Sequence, residues 1–74
     1  MENVKKGDVI VSQDGLVREE VLARVEDLIY TRVVYENGER SAVLGPTHID
    51  DVAGRGFRLE GEAPATSEGN ENAA

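Results

Sequence analysis

The chain has 74 residues and a formal net charge of −7, from 8 basic and 15 acidic side chains, with no Cys and no Trp. This length limits it to one domain with a small core, and the missing cysteines exclude disulfides, thiolate nucleophiles and cysteine zinc sites. The acidic balance disfavours generic DNA binding, and no apolar run approaches the roughly 20 residues of a membrane span, so we expect a cytoplasmic protein without a signal peptide.

The first half of the chain predicts a short strand, a turn and one ambiguous segment. Residues 8–12 are rich in β-branched side chains and predict a strand, and residues 13–15 are a turn signal. As a helix, residues 16–28 would place on one face Val17, Val21, Val25 and Leu28. As a strand, the segment alternates apolar and charged residues and is interrupted at Leu22. The three valines lower helix propensity, and a strand leaves Glu26-Asp27 as a turn, so the strand is favoured.

The clearest local signal is a hairpin around Asn37-Gly38. The runs 29–35 and 40–44 flank this dipeptide, and together they predict a two-residue type I′ turn with positive φ at both central residues. The predicted register is Tyr35–Arg40, Val34–Ser41, Val33–Ala42, Arg32–Val43 and Thr31–Leu44. Its predicted core face carries Ile29, Thr31, Val33, Tyr35, Ala42 and Leu44.

The rest of the chain predicts a helical turn, a last strand and a tail. Gly45-Pro46 is expected to end the hairpin strand, and Thr47 to cap a helical turn over 48–52. Residues 57–60 predict a short final strand. Residues 61–74 hold three Glu but no basic, aromatic or branched aliphatic residue, so we expect a disordered acidic tail behind a domain of residues 1–60. That domain has twelve acidic and eight basic residues, a charge of −4.

These elements predict an all-β fold, a small antiparallel barrel of four to five short strands with one helical turn. The stretches KGDVIV (6–11), VLARV (21–25) and YTRVVYENGERSAV (30–43), followed by Gly45-Pro46 and the turn 49–52, resemble SH3-like small barrels. This group includes KOW and Tudor-type domains, and the chain resembles in particular short bacterial SH3-like proteins of unassigned function. The resemblance implies a fold and not a ligand, because the methyl-lysine cage of Tudor domains and the basic loop of KOW domains are missing.

A second architecture takes residues 16–28 as a helix. The order of elements then becomes β-α-β-β-α-β, a miniature ferredoxin-like α+β arrangement. Its second helix would have only about six residues, too few to cover a four-stranded sheet. This alternative therefore ranks below the barrel.

No set of residues in the sequence points to catalysis, a cofactor or a metal. His48 is the only histidine and has no Ser or Cys close in sequence, so we expect a role in a turn or at the surface. The acidic pairs lack the spacing of a calcium loop, and Gly54-Arg55-Gly56 lacks the lysine of a phosphate loop. We therefore predict that the protein is not an enzyme and has no small-molecule substrate.

The outer face of the 29–44 hairpin is the predicted binding site. A solvated sheet face should be polar, yet Tyr30, Val34 and Val43 are predicted to surround Arg32, with Leu22 of the preceding strand beside them. Tyrosine, arginine and aliphatic side chains are typical of the centre of a protein interface. The alternative is that this face is also core, because small barrels bury both sides of some strands.

The sequence thus predicts a small acidic protein-interaction module that binds a larger protein or itself. A nucleic-acid-directed role is the first alternative, either as an acidic phage-type DNA mimic that inhibits a DNA-binding protein or as a direct binder. Direct binding would need the clustering of Arg24, Arg32, Arg55 and Arg58, and the net charge disfavours it. The second alternative is a phage structural component, such as part of a connector or tail.

Overall fold

The computed structural model of the chain describes residues 1–61, and these residues form one antiparallel sheet with one short helix. The elements are β1 (Val9–Val11), β2 (Arg18–Val25), β3 (Leu28–Val34), β4 (Leu44–His48), α1 (Ile49–Gly54) and β5 (Arg58–Leu59). The strand order is β4-β3-β2-β1-β5, and all neighbours are antiparallel. The predicted β fold of five strands with one helical turn is confirmed, but the sheet is not closed into a barrel. Apart from Gly61, the predicted tail lies outside the described residues.

The ambiguous segment 16–28 contains the strand β2 and no helix, as favoured, so the β-α-β-β-α-β alternative is wrong. β2 pairs with β3 from Arg18 to Val25, and its N-terminal half also pairs with β1. The interruption of the alternating pattern at Leu22 coincides with a register shift between Val21 and Ala23. A β-bulge absorbs the extra residue, which explains how the apolar alternation continues on both sides of it. The predicted turn at Glu26-Asp27 is confirmed as a two-residue loop between the paired Val25 and Leu28.

The Asn37-Gly38 turn joins β3 to β4, but the predicted turn type is wrong. In residues 35–39 only Gly38 has a positive φ, 91°, whereas a type I′ turn needs a second one at Asn37. The Tyr35 N–H donates to the Glu39 carbonyl at 2.8 Å, so the loop has three residues, the pattern of a turn closed by a left-handed glycine.

The longer loop moves the pairing beside it by one residue. Val34 pairs with Arg40 instead of the predicted Ser41, whereas the predicted pair of Thr31 and Leu44 is confirmed. Residues 41–43 absorb the difference and belong to no strand. The consequence for the predicted core face is that Tyr35, Ala42 and Leu44 are exposed and Val33 is half-buried, while Ile29 and Thr31 are buried as expected.

Gly45-Pro46 lies inside β4 and does not end the hairpin strand, so that prediction is wrong. β4 is an edge strand, where a proline without an N–H costs no ladder hydrogen bond on the solvent side. The two residues lie between the pairs Thr31–Leu44 and Ile29–Thr47, at a second register shift. Gly45 has a φ of 116°, and a Cβ there would lie 2.7 Å from the Ile29 carbonyl oxygen, so only glycine fits.

Helix α1 begins one residue later than predicted. Its N-cap is His48, whose Nδ1 accepts a hydrogen bond from the Asp50 N–H at 3.1 Å. Thr47 is not the cap, because the helix begins at Ile49 and the residue directly before it is His48. His48 therefore has the turn role that we expected. Its ring nitrogen accepts a hydrogen bond from a backbone N–H of the first helical turn, which has no partner within the helix.

The core lies between one face of the sheet and two covering pieces, α1 and the N-terminal segment. Its buried cluster consists of Val4, Ile10, Val21, Ile29, Ile49 and Val52, with Met1, Phe57 and Leu59 packed against it. We call the sheet face that bears Ile10, Val21 and Ile29 the inner face. The opposite face of β2 and β3 is the outer face.

The close approach at Gly45 predicts a large effect of one added methyl group. Gly45→Ala should lower the free energy of unfolding by about 2–4 kcal/mol, because it combines a left-handed backbone with a clash against the β3 backbone. The matched control is Gly54→Ala in α1, where φ is ordinary and the space is open, so a gain of about 0.5–1 kcal/mol is expected. Urea denaturation of both variants measures the difference, and equal stabilities would contradict the placement of Gly45.

Candidate interaction surface

The outer face is built from side chains that face each other across β2 and β3. Its pairs are Arg18–Val34, Glu20–Arg32, Ala23–Tyr30 and Val25–Leu28. Side chains directly opposite in an antiparallel pair project from the same side of the sheet. None of these eight residues belongs to the buried cluster beneath α1. Five apolar or aromatic side chains and three charged ones thus share one continuous surface.

An ion-pair cluster centred on Glu20 occupies the middle of the outer face. The Glu20 Oε1 accepts hydrogen bonds from the Nε of Arg32 at 3.1 Å and from the Nε of Arg40 at 3.3 Å. Arg40 reaches this carboxylate from the β3–β4 connection, where it pairs with Val34. The hydrogen bond from Arg32 holds the pKa of Glu20 below its ordinary value, and the charges of both arginines add to this. We call these three residues the Glu20 cluster.

A second ion pair borders the outer face near β5. The Arg18 guanidinium donates from Nε and Nη2 to the two carboxylate oxygens of Glu60, at 2.8 and 2.9 Å. This two-pronged contact raises the pKa of Arg18, and it connects β2 to the residue that follows β5. The guanidinium plane is thereby fixed in orientation.

Apolar side chains lie on either side of the Glu20 cluster. Val25 and Leu28 are 59% and 39% exposed, beside the two-residue turn, and Tyr30 and Val34 are half-buried along β3. Because β3 side chains alternate, Tyr30 and Val34 flank Arg32 on the same side. The outer face therefore has apolar side chains around a charged centre whose members already pair with one another.

Three of the five predicted partner-binding residues lie together on the outer face: Tyr30, Arg32 and Val34. Leu22 is the extra residue at the β2 bulge and is half-buried. Val43 lies in the irregular segment 41–43 and is 61% exposed, so no strand pairing fixes its direction. The partner-binding role of all five remains a prediction.

Sequence reasoning missed Glu20, Arg40, Val25 and Leu28. The alternation of residues 16–28 already put Glu20 on the side opposite Val21, so pairing β2 with β3 in register would have brought Glu20 to Arg32. The same pairing would have found Val25 and Leu28 beside the turn. The position of Arg40 beside Glu20 depends on the length of the β3–β4 loop, and the Asn-Gly signal did not determine this length.

Two of the four arginines considered for direct nucleic-acid binding, Arg24 and Arg32, lie on opposite faces of the sheet. Arg24 pairs with the buried Ile29, and its Nη1 donates to the Val4 carbonyl at 2.9 Å and to the Glu2 carbonyl. Arg32 lies on the outer face and binds Glu20. Arg24 therefore holds the N-terminal segment against the sheet edge, and its guanidinium is not presented with that of Arg32.

Comparison of the chain with protein-family models, with curated proteins and with solved structures found no match. In the described part of the chain, no helix is long and apolar enough to cross a membrane. Within residues 1–61, no three His, Asp or Glu side chains are grouped so that they could hold a metal ion.

The lowered pKa of Glu20 predicts a pH-dependent contribution to stability. Since the folded state favours the ionised carboxylate, the contribution is present above the unfolded-state pKa and is lost as the pH falls through the lowered folded-state pKa. Glu20→Gln should therefore reduce the free energy of unfolding near neutral pH, and the difference from the unaltered protein should vanish in acid.

Urea denaturation from about pH 7 to about pH 3 measures this difference. The matched control is Glu36→Gln, which removes an exposed carboxylate that has no ion pair among residues 1–61. It should change stability little at any pH. If the difference in free energy of unfolding between Glu20→Gln and the unaltered protein stays constant from neutral to acid pH, the ion-pair cluster is contradicted.

Proposed function

We propose that this protein is a small non-enzymatic protein-interaction module, which binds a larger protein or a second copy of itself through the outer face. The observation that carries this proposal is an uncovered sheet face that bears apolar and aromatic side chains. Within residues 1–61, α1 and the N-terminal segment pack on the inner face only. Among residues 1–61, neither of these pieces covers the outer face of β2 and β3.

The composition of the outer face supports this proposal. Antiparallel sheets with one solvated face usually carry polar side chains on it, whereas here Val25, Leu28, Tyr30 and Val34 are on that side. Interfaces are enriched in tyrosine and arginine at their centres, and truncation of these residues often causes the largest losses of affinity. Arg32 and Tyr30 provide both residue types within one strand.

The Glu20 cluster supports the proposal through preorganisation. An arginine that is free in solution loses side-chain entropy when a partner immobilises it, at a cost of about 0.5–1.5 kcal/mol. Glu20 already holds Arg32 and Arg40 at 3.1 and 3.3 Å, so less of this entropy remains to be lost on binding. Both guanidiniums keep further N–H donors for carbonyl or carboxylate groups of a partner.

The contacts of the arginines favour a protein partner over nucleic acid. Arg18, Arg32 and Arg40 each bind a carboxylate of the same chain, and Arg24 binds backbone carbonyls. Among the arginines of residues 1–61, only Arg55 and Arg58 form no ion pair. Phosphate binding needs guanidiniums and ammoniums whose charge is not already neutralised. A protein partner, in contrast, can use the ion pairs as hydrogen-bonding groups at the rim of an apolar contact.

We propose further that the fold is an open relative of the SH3-like small barrels. The support is the succession of five short antiparallel strands, with a helical turn between β4 and β5 and with β1 paired to both β2 and β5. A solution structure tests this relation. The same strand order, with β1 paired to both β2 and β5, is expected from it, and a sheet in which β1 does not pair with β5 would contradict it.

A charge introduced on the outer face should abolish binding. Val25→Glu and Val43→Glu each add a carboxylate at an exposed apolar residue, and burying an unpaired charge in an interface is costly. The matched control is Ala53→Glu, at an exposed position of α1. Sedimentation equilibrium of the full chain reports self-association, and capture from a lysate of the native host reports a second protein.

The unaltered protein and Ala53→Glu should show the same association or capture the same protein, and Val25→Glu should lose it while keeping its circular dichroism spectrum. If Val43→Glu also loses the association or the captured protein, Val43 belongs to the interface. Binding that is equal in the unaltered protein and in both outer variants would contradict the proposal. A monomer that captures nothing at millimolar concentration would also contradict it.

A further inference from the structure

A small pocket lies on the inner side of the sheet, away from the outer face. It has a volume of about 190 Å³ and opens between the sheet and α1. Its lining includes Glu19, Thr31, Leu44, Val52, Arg55 and Phe57. Pockets for drug-sized ligands measure roughly 300–1,000 Å³, so this one has room for a single side chain or a very small molecule.

Glu19 is a carboxylate on the face of the sheet that forms the core. It pairs across the sheet with Ile10, which is fully buried, and with the half-buried Val33. Its Oε1 accepts a hydrogen bond from the Thr31 hydroxyl at 2.7 Å, and Thr31 is only 4% exposed. The carboxylate thus lies half-buried among apolar neighbours, with one neutral hydroxyl as its hydrogen-bond donor.

Glu19 has no ion-pair partner among the residues that the structure describes, although Arg55 lines the same pocket. Within residues 1–61, no nitrogen of Lys, Arg or His lies within 4 Å of its carboxylate, and residues 62–74 contain no basic side chain. The adjacent Glu20, on the opposite face, binds two arginines. Carboxylates that are partly removed from water are often paired, so the unpaired charge of the half-buried Glu19 is the feature that a ligand of this pocket would explain.

We propose that this pocket binds a small organic ammonium ion, either a free alkylamine or the end of a lysine side chain. The ammonium group donates to the Glu19 carboxylate and to a lone pair of the Thr31 hydroxyl oxygen. The alkyl chain lies along Phe57, Val52 and Leu44, which form the apolar part of the lining. A compact ammonium with three donors suits this space better than the broad, planar guanidinium.

Arg55 stands at the exposed rim of the pocket and affects binding through its charge. It also lines a neighbouring groove beside Ser12, Gln13 and Asp14. Its guanidinium repels a bound ammonium, so its removal should tighten binding. An increase in affinity after removal of Arg55 distinguishes an ammonium ligand from a zwitterion. The carboxylate of a zwitterion would bind Arg55, so its affinity would fall.

Amide NMR spectra of the full chain test the proposal, with n-butylammonium and Nα-acetyl-lysine N-methylamide as the two probes and sodium chloride at equal ionic strength as the reference. Saturable shifts at the amides of Glu19, Thr31 and Val52 are expected. Saturation by n-butylammonium alone indicates a free amine as ligand, and saturation by the lysine derivative indicates a lysine side chain of a partner. Shifts no different from those in sodium chloride with both probes would overturn the proposal.

The variant Glu19→Gln removes the charge but keeps an oxygen that accepts from Thr31, so the fold should be retained and its amide spectrum checks this. We expect it to weaken binding at least about tenfold, and Arg55→Gln to tighten it. Val25→Glu on the outer face should leave the titration unchanged, which separates this site from the proposed interface. Equal affinity in Glu19→Gln and the unaltered protein would overturn the proposal.

Discussion

The architecture depends on how few of residues 1–61 lie outside the five-stranded sheet and can pack against its faces. A sheet has two faces, and within residues 1–61 only a six-residue helix and a short N-terminal segment lie against it. Both pack on the inner face, where they bury Ile10, Val21 and Ile29. Arg24 holds the N-terminal segment on this face by donating hydrogen bonds to the carbonyls of Val4 and Glu2. The choice of one face for the core leaves the other to solvent or to a partner.

The edges of the sheet are less suited to association than its outer face. Exposed edge strands recruit other strands, and proteins prevent this with short strands, bulges and prolines. β5 has only two residues, and β4 contains Pro46 at a register shift. At either edge, few backbone groups are spaced regularly enough to form hydrogen bonds with an added strand. Face-on contact with the outer face therefore agrees better with the architecture than strand addition does.

Much of the fold follows from patterns within single elements, and the errors arise where two elements meet. The alternation of residues 16–28 was sufficient to predict β2, because a strand buries Val21 while a bulge absorbs Leu22. Gly38 was recognised as a turn residue, but a glycine with positive φ serves two-residue and three-residue loops alike. Loop length decides the partner of Val34, and only the structure determines it.

The candidate surfaces were predictable to the same limited extent. Alternation along β3 was sufficient to group Tyr30, Arg32 and Val34, whereas the position of Arg40 required the true register of the hairpin. Alternation along β2 already puts Glu19 on the same side as the buried Val21, but nothing in the sequence indicated a pocket beside it. Its pocket further requires the position of α1, which no local pattern specifies.

We propose that the outer face contacts a protein partner through its apolar side chains. The most direct measurement is photo-crosslinking with benzoylphenylalanine placed at Val25 on the outer face and, separately, at Ala53 on α1. We expect a discrete crosslinked product, with a second copy or another protein of the native host, at Val25 and none at Ala53. A product at Ala53 alone, or none at either position, would contradict the proposal.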